Sequence, residues 1–136
     1  MNDSGRLMCL IGELSENPNS VQTIYGLAEF PCSSAVDALV AAGETSNVGA
    51  AIANTLGRIA EKNYSPVFRS QKAIDFLLQL LRSAGAMSRA NAAAALGLTR
   101  SARAIEPLKV ALQDSDEVVR ENAREAIDCL NRTGYA

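Results

Sequence analysis

Apolar residues recur along this chain at spacings of three and four, the period of an α-helix with one buried face. In its last third Ile105, Leu108, Ala111 and Leu112 form one such stripe, and Val119, Ala123, Ala126, Ile127 and Leu130 form another. Between them "QDSDEVV" supplies a turn, with Asp116 placed to cap the second helix and Glu117 favourable in its first turn. Pro107 falls in the first turn of its helix, where proline is tolerated. Gly43, Gly57, Gly85 and Gly97 fall near predicted helix ends, where glycine commonly stops a helix. Pro18, Pro31 and Pro66 separate helices.

The same pair of helices occurs more than once. Shifted by 31 residues, "AIDFLLQLL" (73–81) overlays "AIEPLKVAL" (104–112), and "SRANAAAALGL" (88–98) overlays "VRENAREAIDC" (119–129). The pattern is also present upstream in "AVDALVAAG" (35–43) and "VGAAIANTLGRI" (48–59), where the interval widens to 38 because "EKNYSPVFRSQK" is inserted. A degenerate first copy is expected in "RLMCLIGEL" and "SVQTIYGLAEF". The expected architecture is all-α: one domain over 1–136, an α-solenoid of about four helical hairpins at roughly 5–31, 32–62, 70–99 and 101–132, with an insertion at 61–72. Neither helix of a pair can bury its stripe alone, and stacking the pairs creates one continuous core.

The stretch "LGLTRSARAIEPLKVALQDSDEVVRENAREAIDCL" (96–130) resembles a HEAT-like repeat of the phycobilisome-lyase type. The likeness lies in a small-Leu-Gly step, an Ala-Ile-x-x-Leu turn, and an aspartate followed by Val-Arg before an alanine-rich helix. It weakens over 73–98 and again over 35–59. The resemblance implies that the second helix of each pair lines the concave face. It also implies a ladder in which Asp114 or Asp116 joins Arg120, and Arg89 one repeat earlier, with a gap at Gly49.

Composition narrows the function. The 136 residues are 48% hydrophobic and 21% charged, the balance of a packed domain. No apolar run reaches the ~18 residues of a spanning helix, and no secretory leader is expected. Histidine is absent, which removes every Ser-His or Cys-His nucleophile and the commonest metal ligand. Cys9, Cys32 and Cys129 fit neither a disulfide framework nor a zinc site, which favours a cytoplasmic location. Cys9 is expected on the apolar stripe of the first helix and Cys129 near the core. Cys32 precedes a helix but has no neighbouring base. No catalytic or metal site is expected.

Charge is uneven. Residues 61–104 hold seven basic side chains (Lys62, Arg69, Lys72, Arg82, Arg89, Arg100, Arg103) against Glu61 and Asp75. Arg89, Arg100 and Arg103 are the candidates to bind an anion. In the insertion, Tyr64, Phe68 and Arg69 suggest either a recognition loop or a lid over the core. Glu121, Arg124 and Glu125 are outward positions of the last helix; their counterparts are Ala90, Ala93 and Ala94, and before them Ala50, Ala53 and Asn54. Small residues at these positions suggest a smooth wall for a partner, although alanine also suits any helix. The resulting expectation is a non-enzymatic interaction module that binds another protein through that wall and Arg89. By resemblance, the alternative is a bilin lyase or chaperone acting on a phycobiliprotein, with a linear tetrapyrrole on the wall and its propionates on the arginines. Nucleic acid ranks last, given the net charge of −2 and few aromatics. The apolar "LMCLIGEL" helix suggests a homodimer contact or a covered end.

Overall fold

A computed structural model describes residues 2–135. Nine α-helices occur among them: α1 (Asp3–Glu16), α2 (Val21–Gly26), α3 (Ser33–Thr45), α4 (Gly49–Lys62), α5 (Ser65–Phe68), α6 (Gln71–Leu80), α7 (Ala86–Leu96), α8 (Ile105–Ala111) and α9 (Glu117–Thr133). Short 3-10 turns follow α2 (Leu27–Glu29) and precede α8 (Ala102–Ala104). The described residues contain no strand, and no described helix is long and apolar enough to cross a membrane.

Local chemistry starts the helices. Asn2, Ser20 and Ser70 each accept a hydrogen bond from an N–H of the following first turn. Asp116 accepts two, from Val118 and Val119, as its position in the turn predicts. The 3.6-residue period then selects the buried face. On α9, Val119, Ala123, Ala126 and Leu130 are buried and Ile127 is partly so; on α8, Leu108 and Ala111 are buried.

The helices stack as an α-solenoid of two layers. Helices α1, α3, α6 and α8 form one layer and α2, α4, α7 and α9 the other, and each pair is joined by a short turn. A single core lies between the layers, running from Leu14 and Ile24 through Leu39, Ile52, Leu56, Ile74, Leu77 and Leu96 to Leu108 and Leu130. The most extensive helix contacts are α4 with α7 and α7 with α9, whereas α6 and α8 scarcely touch. The inserted segment begins with the last turn of α4 and holds α5, whose Val67 is buried in the core.

Two expectations need correcting. Gly57 is inside α4, Gly43 lies in the last turn of α3 and Gly85 is the N-cap of α7; of the four only Gly97 caps a helix C-terminus, that of α7. What Gly43, Gly57 and Gly97 share is close approach. A methyl at Gly43 would run into the Phe76 ring, one at Gly57 would lie 3.4 Å from the Ala95 Cα, and one at Gly97 would lie 2.6 Å from the Ala126 Cα. Cys9 is exposed on α1, off the stripe where Leu7, Leu10, Ile11 and Leu14 meet the core.

Candidate functional site

The alanine wall is mostly not a surface. Ala53 and Ala93 are fully buried and Ala90 is nearly so, and Ala50 is half-buried, so the predicted partner-binding role of Ala53, Ala90 and Ala93 is overturned. Helix α7 is flanked by α4 on one side and α9 on the other and packs against α6 on a third. Alanine and glycine at those contacts let the backbones come close, since any longer side chain would hold the helices apart. On α9 the same repeat positions hold Glu121, Arg124 and Glu125, and all three are exposed because no further described helix stacks there. Asparagine ties both junctions. Asn91 Nδ2 donates to the Ala50 carbonyl at 2.9 Å, and Asn122 Nδ2 donates to the Ala90 carbonyl at 3.0 Å.

What remains open on this layer is one stripe per helix. On α7 it runs Met87, Asn91, Ala94 and on to Leu98 in the turn that follows, and the equivalent positions on α9 are Val118, Asn122, Glu125, Cys129. On α4, Asn54 and Arg58 are exposed beside it, and with Asn91, Ala94 and Leu98 they line a groove of about 190 Å³. Asn54 and Ala94 are thus the members of the predicted wall that sit on the open surface; Arg124 is exposed on α9. Met87 (71% exposed) and Val118 (55% exposed) were missed. They occupy one repeat position, a step before the paired "SRAN" and "VREN", so an apolar residue recurring where no core contact is expected was the available signal.

The three arginines do not converge. Arg89 is a strut between repeats: its Nε and Nη2 grip both Asp114 oxygens at 2.9 and 3.2 Å, and its Nη1 donates to the Ser83 and Ala84 carbonyls. Both side chains are about 85% buried (15% and 14% exposed), so this fork is far less solvent-screened than an exposed pair. Arg120 Nη1 donates to the Asp114 carbonyl at 2.7 Å, the same contact that Arg89 makes with Ser83. The Arg89 hydrogen bonds first, then the Asp116 N–H and the charges of Arg89 and Arg120, hold the Asp114 carboxyl below its ordinary range, against burial. One repeat earlier the rung is missing: Gly49 replaces the arginine, Leu80 packs over it, and the buried Ser83 hydroxyl has no partner. Arg103 is engaged by Gln71 and Asp75. Arg89 and Arg103 are therefore used within the chain, which corrects their assignment as anion-binding residues and Arg89's as a partner contact.

Arg100 differs. It has φ 59°, a left-handed conformation that costs a non-glycine residue about 1–2 kcal/mol. Its guanidinium lies over the Tyr64 ring, 4.2 Å from the centroid, and Tyr64 meets Phe68 edge to face at 6.0 Å. Arg69, at the end of α5, is exposed. Val67 of the insertion packs into the core, as a lid would, and Tyr64 and Phe68 form an aromatic–cation cluster with Arg100 from outside the insertion. On the opposite layer, α6 and α8 leave an apolar groove of about 670 Å³ floored by Leu78, Leu81, Val110 and Ala111. Among the described residues no group of three or more His, Cys, Asp or Glu could hold a metal ion.

Residues 66–128, just under half of the chain, match the family described as HEAT repeats. The match runs from α5 into α9 and so spans the α6/α7 and α8/α9 pairs. No curated protein matches this chain.

Proposed function

We propose that this HEAT-like repeat protein is a non-enzymatic protein-binding module whose contact surface is the open stripe of the second-helix layer. HEAT repeats generally mediate protein–protein interaction, and the finer assignment to this stripe rests on one observation. Met87 and Val118 are the most exposed large apolar side chains on the helices of this layer and share one repeat position on neighbouring helices; Val21 and Tyr25 on α2 are exposed to a lesser degree. Covering the exposed parts of both would contribute roughly 2–3 kcal/mol. That is about a 30- to 150-fold change in affinity. Asn54, Arg58 and Glu125 provide a polar margin around this apolar pair.

The bilin alternative, drawn from the resemblance to phycobilisome-lyase-type repeats, has less support. The alanines that would admit a flat chromophore are mostly buried, and two of the three arginines that would pair with propionates are engaged elsewhere.

A pull-down from cell extract with the Met87→Glu/Val118→Glu variant tests the proposal. Loss of the captured protein is expected while far-UV circular dichroism stays unchanged, since both positions are exposed. An Asp37→Lys variant on the opposite layer should capture as the parent does. Undiminished capture by the double variant overturns the assignment.

A further inference from the structure

The corner where α4, α7 and α9 end carries a feature that the wall does not explain. Among the described residues no carboxylate lies within ion-pair distance of Arg100, in contrast to Arg89 and Arg103. Two clefts of about 370 and 360 Å³ flank it, and Tyr64, Arg100 and Thr133 stand in the walls of both. The second cleft is otherwise aromatic, with Phe68 and the half-exposed Tyr135. Among the described residues Glu61 is the one carboxylate lining either cleft; Lys62 lines the first and donates its Nζ to the Ala28 carbonyl.

A cation can stand at helix C-termini simply to offset their partial negative charge. Such an arginine would donate to the terminal carbonyls of those helices. Arg100 makes no such hydrogen bond; stacking on Tyr64 holds its donors away from the helix ends. Glycine or asparagine would hold a φ of 59° at less cost. Arginine is therefore present against the local backbone preference, and strain of this kind is characteristic of binding sites.

The geometry points to a carboxylate anchor at this corner: Arg100, stacked on Tyr64, takes an acidic side chain of a protein partner while Phe68 and Tyr135 cover an adjacent apolar residue. Charge decides the class of occupant, because the Arg100 guanidinium has no carboxylate partner among the described residues and the flanking faces are aromatic. This rests on the protein-binding reading but uses a different part of the surface.

The test is a titration of the ¹⁵N-labelled protein with the synthetic peptide Ac-Glu-Phe-Glu-NH2. Ac-Lys-Phe-Lys-NH2 and inorganic phosphate are run as separate arms. Saturable shifts are expected at the Arg100 side-chain N–H and the Thr133 and Gly134 amides with the acidic peptide alone. Arg100→Gly should weaken binding at least tenfold with a melting temperature no lower than the parent's, which separates lost recognition from lost folding. Three results overturn the proposal: no saturable shift, equal binding by the lysine peptide or by Arg100→Gly, or saturation by phosphate at lower concentration than the peptide. The Met87→Glu/Val118→Glu variant should titrate normally, so failure of this anchor and failure of the wall are distinguishable.

Discussion

Adding one methyl at Gly97 tests whether the α7–α9 seam is held by close backbone approach. The new Cβ would stand 2.6 Å from both Cα and Cβ of Ala126, although real Cβ atoms essentially never come within 3.0 Å of such neighbours. The helices must part by roughly 1 Å, and overpacking of this kind costs about 1–3 kcal/mol. An opposing gain exists. The backbone at Gly97 (φ −64°, ψ −20°) is one alanine adopts freely, so restricting the unfolded chain returns about 0.4–1 kcal/mol. The net expectation for Gly97→Ala is a loss of about 1–2 kcal/mol, or roughly 4–10 °C in melting temperature for a domain of this size. Gly12→Ala provides the opposite sign, because Gly12 lies exposed in α1 with nothing within 4 Å of an added methyl. There alanine should stabilise by about 0.5–1 kcal/mol. Urea unfolding followed by far-UV circular dichroism measures both. Adding Ala126→Gly to Gly97→Ala should not restore stability, since the Ala126 Cα is itself in collision. A Gly97→Ala protein as stable as the parent would refute the close-packed seam.

Ala93→Glu and Ala94→Glu, neighbours in sequence, should differ sharply. The first buries a carboxylate between helices and should cost more than about 3 kcal/mol, while the second, on the exposed stripe, should stay within about 0.5 kcal/mol; equal urea midpoints would contradict the seam. The Arg89–Asp114 fork should make stability pH-dependent. Asp114 has a folded pKa below its unfolded value, so its contribution is fully present above about pH 4 and is lost as pH falls through the folded value. The parent should therefore lose more stability between pH 6 and pH 3 than Asp114→Asn does, and parallel losses would argue against the fork. At pH 7, Arg89→Met should cost about 1.5–3 kcal/mol, the worth of hydrogen bonds to a charged group.

The candidate surface was only partly legible from sequence, and particular residues show why. Asn54 and Ala94 were placed on the open face correctly, because a helical period marks which residues point away from the core. Ala53, Ala90 and Ala93 were not, because the period cannot say whether another helix covers that flank. Nothing local distinguishes an exposed apolar residue such as Met87 or Val118 from a buried one. The repeat resemblance already implied a ladder of Arg89 and Arg120 with the turn aspartates, but the pairing of Arg103 with Asp75 spans 28 residues, and composition alone left Arg103 looking like part of a basic patch.

Local rules therefore determined the helices, the cap at Asp116, the pairing of helices and the stacked-repeat architecture, since each depends on neighbours within a turn or on a pattern that repeats. The tertiary structure decided the rest. It turned three of the four consecutive alanines at 92–95 into packing surface and left Ala94 exposed. It assigned Gly57 and Gly97 to contacts between helices, and it left Arg100 without a carboxylate partner among the described residues. The physical reason is common to all of these: a repeat position is buried or open according to whether a neighbouring helix stands beside it. In α7 there is one on each flank, and in α9 only one.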